Sequence, residues 1–493
     1  MSNELLIEVG PHETRVAILE DGRVVEVHIE RATEPGVVGN IYKGRVSRVV
    51  PGIQAAFVDI GLQRDAFLFA GDLQRTAPLD LAKDEDQAGR QQEHRPIADL
   101  VQKGQELLVQ VVKEPLPGKG ARISSQVSLP GKLAVLLPGA SGIGISRRIS
   151  SPEERQRLEG LLEAMVPDGD GVIVRTVGVG RQEEEFRREL ELLQARWQET
   201  KKRSAGISAP GLVRQETGLT ERTARDLLNE DFSEVWVEGA AGYAVLEGYL
   251  GEIDRRMVDR LRLYQGDDPL FECRGVNAAI AKAMRTRVRL DSGGLIVINP
   301  TEALVAIDVN SGRNTEAAAL EATAFETNLE AAVEVARQIR LRDLAGIIVV
   351  DFIDMNEPEH RAELAACFAA ALDQDRTRTQ LSQLSDFGLI AVTRKRMRGG
   401  LRQRLTRVCP CCSGEGRVAD PKTVGLELDR ALRRRVVESA PEDLRIRLHP
   451  QTKTALEKHQ RRLLAAIEES AGGRIDLEAD DDLGFEEFQI EST

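Results

Sequence analysis

No stretch of this chain approaches the ~20 consecutive apolar residues that a membrane-spanning helix requires. Its start, MSNELLIEVG, lacks the basic opening and apolar middle of a secretory signal. No membrane span is expected, and a cytoplasmic location is. Cysteine is scarce: there are five in 493 residues, three of them between Cys409 and Cys412. That is too few for a disulfide framework in a chain of this size and points to metal instead. An excess of positive charge is also missing. The formal net charge of -13 argues against indiscriminate nucleic-acid binding, because a phosphate backbone is held chiefly by Lys and Arg.

What is present is distributed unevenly. Acidic residues crowd stretches such as 476–482, whereas basic ones concentrate between Arg376 and Arg407, and the local field matters more than the total. Hydrophobic residues make up 41% and charged ones 30%, as in ordinary globular proteins. The length calls for roughly three or four domains.

The most informative stretches are LVAIDVNSGRN at 304–314 and GIIVVDFIDM at 346–355. Each is a run of β-branched apolar residues suited to a buried central strand, and each delivers an acid at its end, Asp308 and Asp351. Either Asp alone reads as a helix cap or turn residue. Two such strands side by side instead invite a cation between the acids, since burying ionised carboxylates is costly. Mg²⁺ takes oxygen ligands and often only one or two carboxylates. Asn310 falls on the same strand face as Asp308 and would reach the phosphate or the attacking water. Asp354 is expected to cap the segment that follows.

Elsewhere the pattern is structural. Residues 4–30 read as two or three strands with a hairpin turn at Asp21-Gly22. Short glycine-broken strands from Val37 to about Lys119 suit a small Greek-key barrel, with 75–95 as a polar surface insertion. Residues 121–214 mix strands with a charged helix over 181–202, and Arg175-Thr176 after the run VIV would offer a guanidinium fork and a hydroxyl to a phosphate. Taken alone, that pair is a weak signal that usually marks a solvated strand end. Cys409 and Cys412 form a Cys-x-x-Cys pair, half the set a tetrahedral structural Zn²⁺ requires. No second pair exists, Cys273 and Cys367 stand singly, and the six histidines are scattered. A second copy of the chain would complete a Cys₄ site across a two-fold axis. A redox pair is the rival, disfavoured by the lack of a thioredoxin-like context, and Cys411 is an extra thiol that would compete for the metal.

The runs TAFETNLEAA at 323–332, ARQIRLRDL at 336–344 and GIIVVDFIDM resemble the catalytic core of the ribonuclease E/G family. The resemblance extends over nearly the whole chain, including ELLIEVGPHETRVAILEDG at 4–22 and GNIYKGRVSRVVPGIQAAFVDIGLQRDAFL at 39–68. It implies a multidomain α/β and α+β protein. An RNase H-like subdomain would be formed by 1–36 with 216–282, an S1-type OB-fold barrel by 37–119, and a 5′-sensor region by 120–215. A DNase I-like catalytic subdomain at 283–407, a zinc link at 408–417 and a small C-terminal α/β domain at 418–493 would follow. It implies a Mg²⁺-dependent endoribonuclease that cuts single-stranded, AU-rich RNA, prefers a 5′-monophosphate end, and acts on ribosomal RNA precursors and mRNA as a homodimer or higher oligomer.

By position, the resemblance assigns Mg²⁺ to Asp308 and Asp351, assistance at the scissile phosphate to Asn310, and an intersubunit Zn²⁺ to Cys409 and Cys412. It assigns 5′-phosphate sensing to Gly131, Val135, Arg175, Thr176 and Arg378. In the barrel, Phe57 and Phe67 would stack bases, with Lys43, Lys113 and Lys119 near the RNA backbone; without the resemblance each Phe reads equally as barrel core. The basic tail from Arg394 through Arg398 to Arg402, Arg404 and Arg407 would neutralise RNA phosphates. A non-catalytic RNA-binding or ribosome-associated scaffold is the main alternative. A metal-dependent phosphatase or DNA nuclease is a weaker one, because carboxylates and a metal do not by themselves select RNA.

Overall fold

The computed structural model describes residues 3–492 apart from 34–35, 74–94, 116–117, 167–168, 312–319, 386, 396–398, 439–442, 460–461, 463–464, 467 and 470–473. Two compact units emerge, Met1–Arg404 and Leu405–Thr493. The insertion expected at 75–95 lies, except for Arg95, outside the described residues.

The first unit begins with a meander, β1 (Asn3–Val9), β2 (Glu13–Glu20) and β3 (Arg23–Arg31). Its β2–β3 turn is Asp21-Gly22, with φ of 47° and 76°, the left-handed pair that a tight hairpin matching strand twist demands. Next come β4 (Ile41–Val50), β5 (Ala55–Asp59), β6 (Ala66–Phe69), β7 (Glu106–Lys113) and β8 (Arg122–Ser124). They pair in the order β4-β5-β6-β8-β7, and β7 pairs back onto β4, closing a five-stranded OB-like barrel. The closing strand β8 falls beyond the boundary expected at 119. Gly44 is required inside: a Cβ there would lie 2.6 Å from Val58 Cγ1.

A four-stranded sheet follows, from β9 (Leu129–Pro130), β10 (Ala134–Pro138), β11 (Gly142–Ile145) and β12 (Asp170–Val174), while β13 (Gly211–Arg214) adds to the barrel edge at β4. Helix Pro152–Glu163 starts on Ser151, whose side chain accepts from Glu154 N, and helix Glu183–Gly206 opens with a Gln182/Glu185 capping box. Then β14 (Phe232–Glu238) and β15 (Leu261–Tyr264) return to the first sheet, giving the order β15-β14-β1-β2-β3.

The last sheet of this unit contains β16 (Arg287–Arg289), β17 (Leu295–Pro300), β18 (Leu304–Asn310), β19 (Gly346–Asp351), β20 (Thr379–Leu381) and β21 (Leu389–Arg394), in the order β16-β17-β18-β19-β21-β20. Only β18 and β19 run parallel among these pairs, with helix Leu320–Leu341 between them in the chain. Ile307, Val309, Ile348, Val350, Ile390 and Val392 pack with Val335, Ile339, Leu364 and Phe368 of the helices in one core. Among the described residues no helix covers the opposite sheet face in this way. Along β18 the residues alternate, with Val305, Ile307 and Val309 buried and Ala306, Asp308 and Asn310 exposed. The strands expected to be buried and central are thus buried on one face only: helices cover that face, and the acids stand on the other.

The second unit holds helices Pro421–Glu438 and Pro450–His459 with β22 (Leu444–Leu448), β23 (Ile475–Ala479) and β24 (Phe488–Ser492), in the sheet order β23-β22-β24. Leu428, Leu432, Ile446 and Leu456 form its core. Among the described residues no helix is long and apolar enough to cross a membrane.

Candidate active site

Asp308 and Asp351 are register partners across the parallel β18–β19 pair, and both are exposed on the bare sheet face. Asn310, two residues on, donates from Nδ2 to Asp308 Oδ2 at 2.5 Å, fixing the rotamer of that carboxylate. Burial, followed by the negative charges of Asp308 and Asp354, raises the Asp351 carboxyl above its ordinary range. A cation would relieve that repulsion. Two carboxylates on an open face suit a hard divalent ion that keeps water and substrate oxygens in its remaining positions. No group of three or more acidic, His or Cys ligands occurs among the described residues.

Asp354 does not cap a helix. The next one, Pro358–Asp373, has Glu357 at its N-cap position, without a side-chain cap bond. The turn after Asp351 is held by Asn328, whose Nδ2 donates to Ile353 O at 2.8 Å and whose Oδ1 accepts from Ile353 N at 3.0 Å. Asn328 is fully buried. Sequence reading passed over it, although an Asn within an otherwise apolar helix face is the signal that would have flagged it.

Arg175, Thr176 and Arg378 line a single cavity of about 1320 Å³, together with Ser146, Arg147 and Arg376. Arg175 Nη1 donates to Gly131 O and to Asp226 Oδ1, both at 2.7 Å. Thr176 Oγ1 lies 3.2 Å from Ser146 Oγ. Gly131 does not line the cavity and bears on it only through Arg175, whose Nη1 donates to its carbonyl. A Cβ on it would come within 2.6 Å of Glu189 Cδ, because the Glu189 carboxylate closes on this loop and accepts from the N–H groups of Lys132, Leu133 and Ala134. Val135 is not brought in: it sits opposite Ile173 in the β10–β12 pair and does not line the cavity. The sequence reading did not single out Ser146, Arg147, Asp226 or Arg376, which come from separate segments.

Phe57 and Phe67 are cross-strand partners in the barrel, edge to face with ring centroids 6.0 Å apart. Both are half-buried, whereas their neighbours Ala56, Val58, Ala66 and Leu68 fill the barrel core. The alternation of β5 and β6 therefore decides against the core reading. The Arg48 guanidinium lies over the Phe57 ring, 4.5 Å from its centroid, an arrangement that combines an aromatic face with positive charge. Lys43 is paired with Glu106 at 3.2 Å, and Lys113 and Lys119 are exposed.

The basic tail is only partly available to a ligand. Arg394 is buried and bound to Asp375, Asp343 and the Leu344 carbonyl, and Arg404 donates to the carbonyls of Gly399 and Ile29. Both clamp the fold, contrary to the expectation that they face RNA, while residues 396–398 lie outside the described ones.

In the second unit, Cys409 and Cys411 are exposed and Cys412 is half-buried, all as free thiols. The backbone N–H groups of Cys412 and Cys411 lower the Cys409 thiol below its usual range, favouring the thiolate that binds metal. Gly416 N donates to Cys412 Sγ at 3.3 Å. Two such sulfurs are half of the ligand set that a tetrahedral Zn²⁺ would require.

Residues 128–397 match the model of the ribonuclease E/G family, and 408–493 match that of the RNase E/G thioredoxin-like domain. Ribonuclease G of Haemophilus influenzae is 38% identical to this chain, with 99% of each covered. Ribonuclease G of Escherichia coli K12 is also 38% identical, over 99% of each chain. Ribonuclease E of the same strain is 38% identical over 88% of this chain and 40% of its own length. The domain match corrects the expectation that the cysteines lack a thioredoxin-like setting. They nonetheless precede helix Pro421–Glu438 through a turn and an extended segment instead of opening it, so its N-terminus does not activate them.

Proposed function

The chain belongs to the ribonuclease E/G family and is an endoribonuclease, and from that premise we propose that it cuts single-stranded, AU-rich RNA at Asp308 and Asp351 with Mg²⁺ and favours 5′-monophosphate ends. The observation that carries this reading is the in-register acid pair beside Asn310 on an uncovered sheet face. Ribosomal RNA precursors and mRNA are the proposed substrates, in the cytoplasm. An intact acid pair also weighs against a purely scaffolding role.

Asp308 and Asp351 would hold Mg²⁺, which when bound supplies acidity to water and offsets charge on the scissile phosphate. Asn310 keeps Asp308 in one orientation and presents its amide beside the reacting phosphate. Phe57 and Phe67 accept bases by stacking, which tolerates sequence variation. The cavity beside Arg175, Thr176 and Arg378 receives a terminal monophosphate, whose oxygens suit the planar guanidinium fork of Arg175 and the hydroxyl of Thr176. Cys409 and Cys412, with the same pair from a second copy, would complete a structural Zn²⁺ site, making the working form a homo-oligomer.

The test is cleavage of a short AU-rich RNA bearing either a 5′-monophosphate or a 5′-hydroxyl, with Mg²⁺ or a chelator, by wild type and Asp308→Asn. Faster, Mg²⁺-dependent cutting of the monophosphate form, lost in the variant, is expected. Equal cutting by the variant would remove the proposed active site, and equal rates on the two RNAs would remove the end preference. A DNA oligonucleotide of the same sequence tests dependence on the 2′-hydroxyl.

A further inference from the structure

All hydrogen bonds of Arg175 to described residues leave from Nη1, so the N–H groups on Nε and Nη2 stay available to a ligand in the cavity. What sets that orientation is the pair of acceptors on Nη1. One is the Gly131 carbonyl, in the loop that Glu189 closes. The other is Asp226 Oδ1, and behind it stands a row of alternating charge. Arg225 donates to both oxygens of Asp226, from Nε at 3.1 Å and Nη2 at 2.8 Å. Its Nη1 donates to Glu216 Oε1 at 2.8 Å. Glu216 is anchored in turn, its N–H donating to Asn40 Oδ1 at 2.8 Å beside the first residue of β4.

We propose that Asp226 is a positioning residue for phosphate recognition: backed by Arg225 and Glu216, it holds Arg175 with its free guanidinium edge turned to a terminal phosphate monoester. The inference rests on the proposed 5′-end preference and adds to it the residue that enforces the geometry. Asp226 does not simply compete with the phosphate for Arg175, because Arg225 already neutralises it through two hydrogen bonds. The row Arg175–Asp226–Arg225–Glu216 carries two positive and two negative groups, and Arg225 and Glu216 are largely buried. A guanidinium pinned by fixed acceptors loses little freedom when the phosphate arrives, and that preorganisation is where the affinity lies.

The test is steady-state cleavage of matched 5′-monophosphate and 5′-hydroxyl RNAs by wild type, Asp226→Asn and Asp226→Glu. Asp226→Asn is expected to raise KM for the monophosphate RNA by roughly tenfold, the size of one charge-assisted hydrogen bond. Its kcat, and both constants for the hydroxyl RNA, are expected to stay unchanged, which also reports that the variant is folded. Asp226→Glu keeps the charge but shifts the carboxylate by one methylene, and an intermediate KM is expected. It carries the test alone if the Asn variant does not fold. Equal losses on both RNAs would reduce Asp226 to a structural residue. An unchanged or lowered KM for the monophosphate RNA would overturn the proposal directly. If wild type does not distinguish the two RNAs, the end preference fails and this inference with it; if wild type does and Asp226→Asn does so equally, only this inference fails.

Discussion

Arg340, on the helix that connects the two acid-bearing strands, donates from Nε and Nη2 to Glu26 Oε1 of β3 at 3.2 and 2.9 Å. It also binds Glu20 of β2, with Nη2 2.6 Å from Oε1. The N-terminal sheet is thereby locked to helix Leu320–Leu341 by a buried arginine shared between two glutamates. Burial alone would raise the Glu26 carboxyl. His28 Nε2 at 3.5 Å and the Arg340 and Arg376 guanidinium groups outweigh it and lower the pKa from 4.5 to about 2.

A group whose folded pKa is depressed contributes stability that is fully present above its unfolded value and is lost as pH falls through the folded one. Glu26 therefore stabilises the protein above pH 4.5 and ceases to do so toward about pH 2. Denaturant unfolding of wild type and Glu26→Gln across this range is expected to show a gap that is widest near neutral pH and closes on acidification. A gap independent of pH would assign the effect to packing.

Replacing either register partner, Asp308→Asn or Asp351→Asn, is expected to lower kcat by on the order of 100-fold or more, since several kcal/mol of charge stabilisation would go. Asn310→Ala should cost less, about tenfold, because it removes an orienting hydrogen bond and leaves both carboxylates. Single-turnover cleavage separates these effects from RNA binding.

Phe57→Ala and Phe67→Ala are expected to weaken RNA binding, each by about 1–3 kcal/mol if it stacks one base. Fluorescence anisotropy with a labelled, uncleavable RNA reads the affinity. Both side chains are half-buried outside the barrel core, so melting temperature should move little. A large loss of stability with unchanged affinity would return them to a structural role.

Removal of the sulfur pair, by Cys409→Ser with Cys412→Ser, is expected to release Zn²⁺ and shift the oligomer toward monomer in sedimentation velocity. Cys411→Ser should leave both unchanged. Loss of metal without dissociation would show that the site folds its own segment and does not join subunits.

Much of the candidate site was legible because its signals are short-range. Alternation along β18 puts Asp308 and Asn310 on one face whatever the strand pairs with, and the apolar run before Asp351 announces a second strand. The β2–β3 hairpin follows from Asp21-Gly22, where two successive left-handed residues are tolerated. Cys409 and Cys412 show by count alone that one chain cannot complete a tetrahedral site from paired cysteines.

The rest depended on partners distant in the chain. Pairing register set Asp308 opposite Asp351, and a shift of one residue would have turned one acid into the core. The fold gathered Arg175, Thr176 and Arg378 around one cavity and left Val135 outside it, a division that no motif reveals. It also spent Arg394 and Arg404 on internal acceptors, since a guanidinium carried out of water must find partners wherever the chain supplies them. The sequence by itself thus determined which groups are available and which strand face each occupies, because backbone periodicity is local. Which charges meet one another, and which remain free for RNA, was decided only by tertiary structure, because burial and pairing are properties of segments brought together.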